Sequence, residues 1–293
     1  MLTKLLLVVS LLLNPFIGTS FGGDLPEVKE RGVLRHLGVP YANFVTGSGD
    51  GLDVEMVKLF AEHLGVRYEY VQTSWENVIA DISGKSIKHS GDQVEVLAKA
   101  PVKADILASG FTILPWREKV VSYSHPTFPN QVWLIVRSDS RIQPIAPSND
   151  TQKDIDSVKA LVKGITVLGI SNTCVDPKLY KLEESGCTAR EFAGSLNELI
   201  PAILNGEAQA TLLDIPDVLI ALEKWPSQFK VIGPVSTVQE MGYAFAKDAP
   251  QLRESFNRFF EQCQRDGTYL RLIKKYYPAI LETYPEFFKH TQH

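Results

Sequence analysis

The sequence predicts an α/β protein of two lobes with a cleft between them. Three observations carry this. Short apolar segments alternate with amphipathic ones along the whole chain, which implies mostly parallel sheets with helices on both faces. The alternation falls into two series, separated by polar stretches at 138–157, rich in Pro, Ser and Asp, and at 236–240. Once a leader is set aside, roughly 270 residues remain, enough for two ordinary domains.

The leader is read from residues 1–22. Lys4 supplies a positive charge, Leu5 to Leu13 is apolar except for Ser10, and Asn14-Pro15 breaks the run. Small residues follow at Gly18, Ser20 and Gly22, the layout of a cleavable secretory signal peptide. The apolar run is short of the ~20 residues a spanning helix needs. Export into the periplasm is therefore expected. Apolar residues make up 44% of the chain and mean hydropathy is near zero, which fits a soluble globular protein. Net charge is −4 with no long basic block, so nucleic acid is not an expected partner.

The elements follow in order. Val33 to Val39 reads as a strand and Tyr41 to Gly51 as a loop rich in Gly and aromatics, which lacks the Lys-Ser/Thr pair of a phosphate loop and the spacing of a dinucleotide fingerprint. Leu52 to Leu64 places Met56, Val57, Phe60, Ala61 and Leu64 on one helix face, with Gly65 as its stop. Val66 to Val71 is a strand and Trp75 to Ile82 a short helix. Lys85 to Lys103 is polar, with one apolar patch from Val94 to Ala98, and reads as an inserted surface loop or partial helix. Ala104 to Ala108 and Gln131 to Val136 are further strands. In the second series Ile165 to Ile170, Ala208 to Leu213 and Phe229 to Ile232 are strands. Ser195-Leu196-Asn197-Glu198 fits a capping box for a helix that Pro201 distorts locally. Pro216 to Lys224 is a helix, Met241 to Ala246 a strand, and Pro250 to Arg265 an amphipathic helix that Asp266-Gly267-Thr268 separates from Tyr269 to Tyr276.

The stretch that bears chemistry is Ala104 to Phe128, taken with Asp214. An apolar strand ends in Ser109-Gly110-Phe111-Thr112, and Arg117 follows five residues after the Thr. Backbone N–H groups, a hydroxyl and a fixed cation at one strand end suit a small carboxylate, because a guanidinium accepts one through two parallel hydrogen bonds. No Cys or His cluster has metal-ligand spacing, and neither a metal nor a cofactor is expected. Cys174 and Cys187 lie in one segment and are expected to bond in an exported protein, whereas Cys263 lies on the apolar face of its helix.

Four stretches in this order resemble the bacterial family 3 extracellular solute-binding proteins, the type II periplasmic binding proteins of polar amino-acid uptake. They are Gly51-Leu52-Asp53-Val54-Glu55 with Leu64-Gly65-Val66, Ala108-Ser109-Gly110-Phe111-Thr112 with Arg117, Leu212-Leu213-Asp214-Ile215-Pro216, and Asp266-Gly267-Thr268-Tyr269 with Lys274-Lys275-Tyr276-Tyr277. The resemblance implies two α/β lobes joined by two hinge strands. Lobe 1 would hold residues 24–137 and 242–285, lobe 2 residues 141–236, and 286–293 would be a tail. It implies that Arg117 meets a ligand α-carboxylate, completed by Thr112, the backbone of Gly110, and the turn at Asn172 and Thr173. Asp214 would receive the α-amino group, and Phe44 and Trp75 would stand as aromatics around the ligand. Asn172 replaces the usual Gly of that turn, which Asn tolerates better than most residues. The partners implied are a small amino acid or organic acid and the membrane permease of an ABC transporter, for a monomeric protein.

Other readings stand beside this one. Asp214 would also serve as the N-cap of the helix at Pro216, and Arg117 would also pair with Glu118. No nucleophile elbow, zinc helix or Ser–Lys motif appears, so the expectation is a non-enzyme. Within the resembled superfamily, a periplasmic cyclohexadienyl dehydratase and a sensing module without transport are the alternatives. A lytic transglycosylase would need a lysozyme-like domain after His293, where the sequence ends, and is not expected.

Overall fold

The computed structural model describes residues 22–289. The proposed leader (1–22), apart from Gly22, and the histidines at 290 and 293 lie outside them. In chain order the strands are β1 (Val33–Gly38), β2 (Arg67–Gln72), β3 (Lys85–Ser90), β4 (Gln93–Lys99), β5 (Ile106–Leu107), β6 (Val121–Tyr123) and β7 (Phe128–Asn130). They continue as β8 (Val132–Arg137), β9 (Thr166–Gly169), β10 (Thr188–Glu191), β11 (Ala210–Asp214), β12 (Phe229–Pro234), β13 (Gln239–Met241) and β14 (Ala244–Ala246).

Two five-stranded sheets organise the molecule, in the orders β2-β1-β5-β14-β6 and β10-β9-β11-β8-β12. β2, β1 and β5 are mutually parallel, as are β10, β9 and β11. β14 is antiparallel to both its neighbours, and so is β8. Four of the five strands in each sheet therefore point one way, as the alternation of strands and helices predicts. The two reversed strands are those entered directly from the segments that cross between sheets. Those segments, β7 and β13, pair with each other as an antiparallel ribbon.

This topology corrects one sequence expectation. The resemblance places residues 132–137 in lobe 1, but β8 lies in the second sheet between β11 and β12. The chain crosses at Phe128–Asn130, ahead of the polar stretch that the sequence suggested as the boundary. Part of that stretch is also not linker. Thr151–Ala160 is a helix, capped by the Asp150 carboxylate on the N–H groups of Gln152 and Lys153, with Ile155 and Val158 buried.

The 85–103 segment is neither loop nor helix. β3 and β4 form an antiparallel hairpin turning at Gly91, whose φ of +54° is in the left-handed region. Ile87 and Val94 pack inward against a first-lobe cluster that contains Phe111, Trp116 and Val121, while Val96 and Leu97 face outward.

The helix Leu52–Leu64 forms where its apolar face predicts, and Gly65 ends it at φ +72°. Ser195 and Glu198 make the expected capping box, but the turn they open is 3-10, and Pro201 sits in the first turn of the α-helix Leu199–Leu204 that follows. One apolar cluster runs without a break from Phe44, Phe60 and Phe256 to Leu134, Leu168 and Leu212, so both sheets share packed surface. Among the described residues no helix is long and apolar enough to cross a membrane.

Candidate functional site

The carboxyl ends of the central parallel strands of both sheets meet at one seam. From the first sheet comes 108–112 after β5; from the second come 170–174 after β9 and Asp214 at the end of β11. Strand carboxyl ends are where open α/β sheets present ligand-facing groups.

The turn after β5 is fixed from below. The Ser109 hydroxyl donates to the Val39 carbonyl (2.6 Å) and accepts the Val39 N–H (3.1 Å). Gly110 sits at φ +57°, and a Cβ there would lie 2.5 Å from the Phe44 ring. Its N–H is donated to Asp53 Oδ2 (2.7 Å), from the first turn of the Leu52–Leu64 helix, and the Tyr243 hydroxyl donates to the other oxygen (2.7 Å). Burial pushes the Asp53 carboxyl up to about 7 against the pull of those two donors. The Gly110 N–H, expected to face a ligand, is thus committed to the fold.

The chain then enters the short helix Pro115–Glu118, which turns Arg117 back under the loop. The side chain is buried, at 1% exposure. Nη1 donates to the Thr112 carbonyl (2.9 Å) and Nη2 to the Asn172 carbonyl of the second lobe (2.6 Å). Nε has no hydrogen-bond partner, and the guanidinium carbon lies 4.0 Å from the Phe111 ring centroid. Among the described residues no carboxylate forms an ion pair with Arg117, Glu118 included. Burial lowers its pKa from the ordinary value, opposed by the neighbouring Tyr123 hydroxyl and Cys174 thiol. Thr112 contributes its carbonyl to Arg117 and to the Tyr123 hydroxyl, while its own hydroxyl accepts from Asn130.

On the second lobe, Asn172 holds the left-handed backbone (φ +64°) that the sequence expects of it. Thr173 turns its hydroxyl onto the Ile170 carbonyl (2.6 Å) and accepts the Val175 N–H. Cys174 comes next and points into the seam. Its thiol donates to Asp214 Oδ2 (3.2 Å), and burial raises its pKa well above the usual value. Cys174 and Cys187 are free thiols, which overturns the expected disulfide. Cys174 lies just past the end of β9 with its sulfur committed to Asp214, whereas Cys187 lies just ahead of β10.

Asp214 occupies the N-cap position of the helix Ile215–Lys224, yet its side chain makes no capping bond. It reaches across the seam instead, where Oδ1 accepts the Tyr41 hydroxyl at 2.5 Å. Burial raises its pKa, opposed by the hydrogen bonds from Tyr41 and Cys174. One turn along, Asp217 is also buried and one of its oxygens has no partner; burial and the Asp214 charge push it well up. Sequence reasoning missed Tyr41, Cys174 and Asp217 as members of this cluster.

The aromatics divide. Phe44 is core, packed on Tyr41, Phe128 and Tyr277, and does not face the seam as expected. Trp75 is half-buried, stacks over Phe111, and lines a cavity of about 620 Å3 between the lobes. Across that cavity stand Ser171, Asn172 and Glu191; the Glu191 carboxylate is held by the Ser171 N–H (2.9 Å) and hydroxyl (2.5 Å). The seam therefore has a buried cation from the first lobe and a buried acid from the second, and the chamber lined by Trp75 and Asn172 does not count Arg117 or Asp214 among its lining residues. Among the described residues no group of His, Cys, Asp and Glu is arranged to hold a metal.

The sequence profile of the bacterial extracellular solute-binding proteins, family 3, matches residues 98–279, more than half of the chain. Among relatives, the membrane-bound lytic murein transglycosylase F of Desulfosudis oleivorans is 24% identical over 78% of this chain and 44% of its own length. This chain thus spans less than half of that relative. The L-cystine-binding protein TcyJ of Escherichia coli K12 is 24% identical over 88% of this chain and 87% of its own. Among solved structures, the arginine-bound form of a truncated ArgBP from T. maritima superposes with a TM-score of 0.63 at 24% identity, covering 81% of this chain and 99% of that one.

Proposed function

Because the chain belongs to the bacterial extracellular solute-binding proteins of family 3, we propose that it is an exported, non-catalytic receptor for an amino acid or close relative. In this reading Arg117 grips the ligand carboxylate from the first lobe and Asp214 receives its amino group from the second. The observation that carries it is Arg117. A buried guanidinium with no carboxylate partner is costly, and its fork matches an incoming carboxylate.

The groups around it support a capture mechanism. In the closed arrangement Arg117 donates to the Asn172 carbonyl and Asp214 accepts from Tyr41, so each recognition group bonds to the opposite lobe. A ligand that offers a carboxylate and an ammonium replaces these contacts by stronger charged ones and touches both lobes at once. It therefore shifts the open–closed equilibrium towards closure by its differential affinity. The chamber beside Trp75 takes the side chain. Lobe 1 comprises roughly 24–131 and 242–285, with β8 counted in lobe 2. The closed form is presented by a monomer to an ABC permease in the periplasm, after removal of the leader at 1–22.

Calorimetric titration with L-cystine, L-arginine and succinate tests this. One of the two amino acids binds and raises the melting temperature, while the amine-free acid binds weakly. Absence of any response to a full set of amino acids would refute the reading. Incubation with prephenate, followed by ultraviolet absorbance, is expected to give no product; turnover would make the chain an enzyme.

A further inference from the structure

We infer that the inserted hairpin β3–β4 is a lid over the Arg117 end of the cleft, and that His89 is the positioning residue through which it latches the second lobe. The inference rests on the ligand reading above only for what the lid retains. The latch itself is a contact between lobes and is tested separately.

The hairpin is anchored at both ends of its length. At the root, Gly84 closes the preceding helix at φ +68° and its carbonyl accepts the Ala100 N–H (2.8 Å). At the tip, Lys119 Nζ, just after the Arg117 helix, donates to the Asp92 carbonyl (2.5 Å). Between these points the inner face lies on the element that carries Arg117. The His89 ring stacks on Trp116, with centroids 4.0 Å apart and planes 5° from parallel. Ile87 and Val94 pack in the same cluster, which Leu179 of the second lobe also touches.

His89 then reaches across. Its Nε2 lies 2.9 Å from Asn172 Oδ1. Asn172 is the residue whose backbone carbonyl holds the Arg117 guanidinium. One residue of the second lobe is thus held twice from the first, by its side chain through the hairpin and by its carbonyl through the cation. The stacking on Trp116 fixes the imidazole on the first lobe, and a stacked ring adds to area burial without long-range flexibility. Opening the cleft must break the His89 contact along with the Arg117 one. A ligand that displaces the Asn172 carbonyl from Arg117 leaves the side-chain latch free to persist, so the latch acts on the bound state.

The test compares His89→Ala with His89→Gln, whose amide retains a donor at similar reach. Small-angle scattering of the free protein reads the lobe arrangement with no ligand, and stopped-flow tryptophan fluorescence with L-arginine or L-cystine reads dissociation. Loss of one hydrogen bond across the cleft predicts a larger radius of gyration for His89→Ala and ligand release about three- to tenfold faster, with Gln close to the parent in both. Both variants lose the stack on Trp116, so the melting temperature of the free protein should fall slightly and by a similar amount in each, which separates stability from the latch. Unchanged scattering and unchanged release for His89→Ala would overturn the latch, and so would a Gln variant as impaired as Ala. If no amino acid of the full set binds the parent, the ligand reading fails while the scattering comparison still decides the latch.

Discussion

Replacing Arg117 by methionine separates the cost of a buried cation from its use. In the free protein the substitution removes two hydrogen bonds, to the carbonyls of Thr112 and Asn172. The Thr112 carbonyl keeps the Tyr123 hydroxyl, so only the Asn172 carbonyl is left unpaired, at a cost of about 1–3 kcal/mol. Against this, a desolvated guanidinium with no carboxylate partner is removed, which relieves several kcal/mol. Methionine keeps much of the volume under Phe111. The two effects nearly cancel, so urea denaturation should show stability within about 2 kcal/mol of the parent. Binding has no such compensation. A ligand carboxylate brought to the seam without its cation loses about 3–5 kcal/mol, roughly a hundredfold to several-thousandfold in Kd. Arg117→Lys keeps the charge but not the fork and should fall between the two. Calorimetry on all three forms decides. A methionine variant that folds and binds within about threefold of the parent would show that the carboxylate is held elsewhere.

Other outcomes follow from the same geometry. Asp214→Asn should weaken amine-bearing ligands more than amine-free acids in parallel titrations; equal losses would leave Asp214 as a partner of Tyr41 and Cys174 alone. Asp53 and His36 make opposite contributions to stability as pH changes. Burial raises Asp53 to about 7, so the folded state binds the extra proton and this contribution is lost as pH rises from about 4 to 7. Burial lowers His36 to about 4, so its contribution is lost as pH falls from about 6.5 to 4. Asp53→Asn should therefore uncover a stability that climbs with pH in that window, by up to about 1.4 kcal/mol per pH unit in denaturation curves. Gly110→Ala places a Cβ 2.5 Å from the Phe44 ring at φ +57° and should cost about 2–4 kcal/mol in urea titrations. Thiol titration in denaturant should count three free cysteines, and reductant should leave the melting temperature unchanged.

What was legible in the sequence is what periodicity and turn chemistry encode. The apolar face of Leu52–Leu64 and its Gly65 stop, the capping box at Ser195, and the left-handed Asn172 all depend on near neighbours and form as read. A strand end, a turn and a cation in succession single out Arg117 in the sequence, and the structure buries that side chain at the seam; its ligand role is the proposal above. The errors lie where long-range pairing decides. The apolar run of β8 suits either sheet, and only its pairing with β11 and β12 assigns it to the second. The hairpin buries few apolar side chains, Ile87 and Val94 among them, and exposes Val96 and Leu97, so its alternation is faint. The spacing of Cys174 and Cys187 left a bridge open, but the thiol of Cys174 is committed to an aspartate forty residues away. Tyr41 gave no signal because a single loop tyrosine acquires meaning only from what it faces.

The ribbon made by β7 and β13 restricts what the halves can do. Gln239 pairs with Asn130, Glu240 with Pro129 and Met241 with Phe128, so the two crossing segments are zipped together over their length. Two separate tethers would allow swivelling, shearing and splaying alike. A laced pair yields mainly by flexing across its flat face, since sliding one strand past the other would break the pairs in register. For the proposed open–closed cycle the ribbon favours one arc of movement, along which Tyr41 would return to Asp214 and His89 to Asn172.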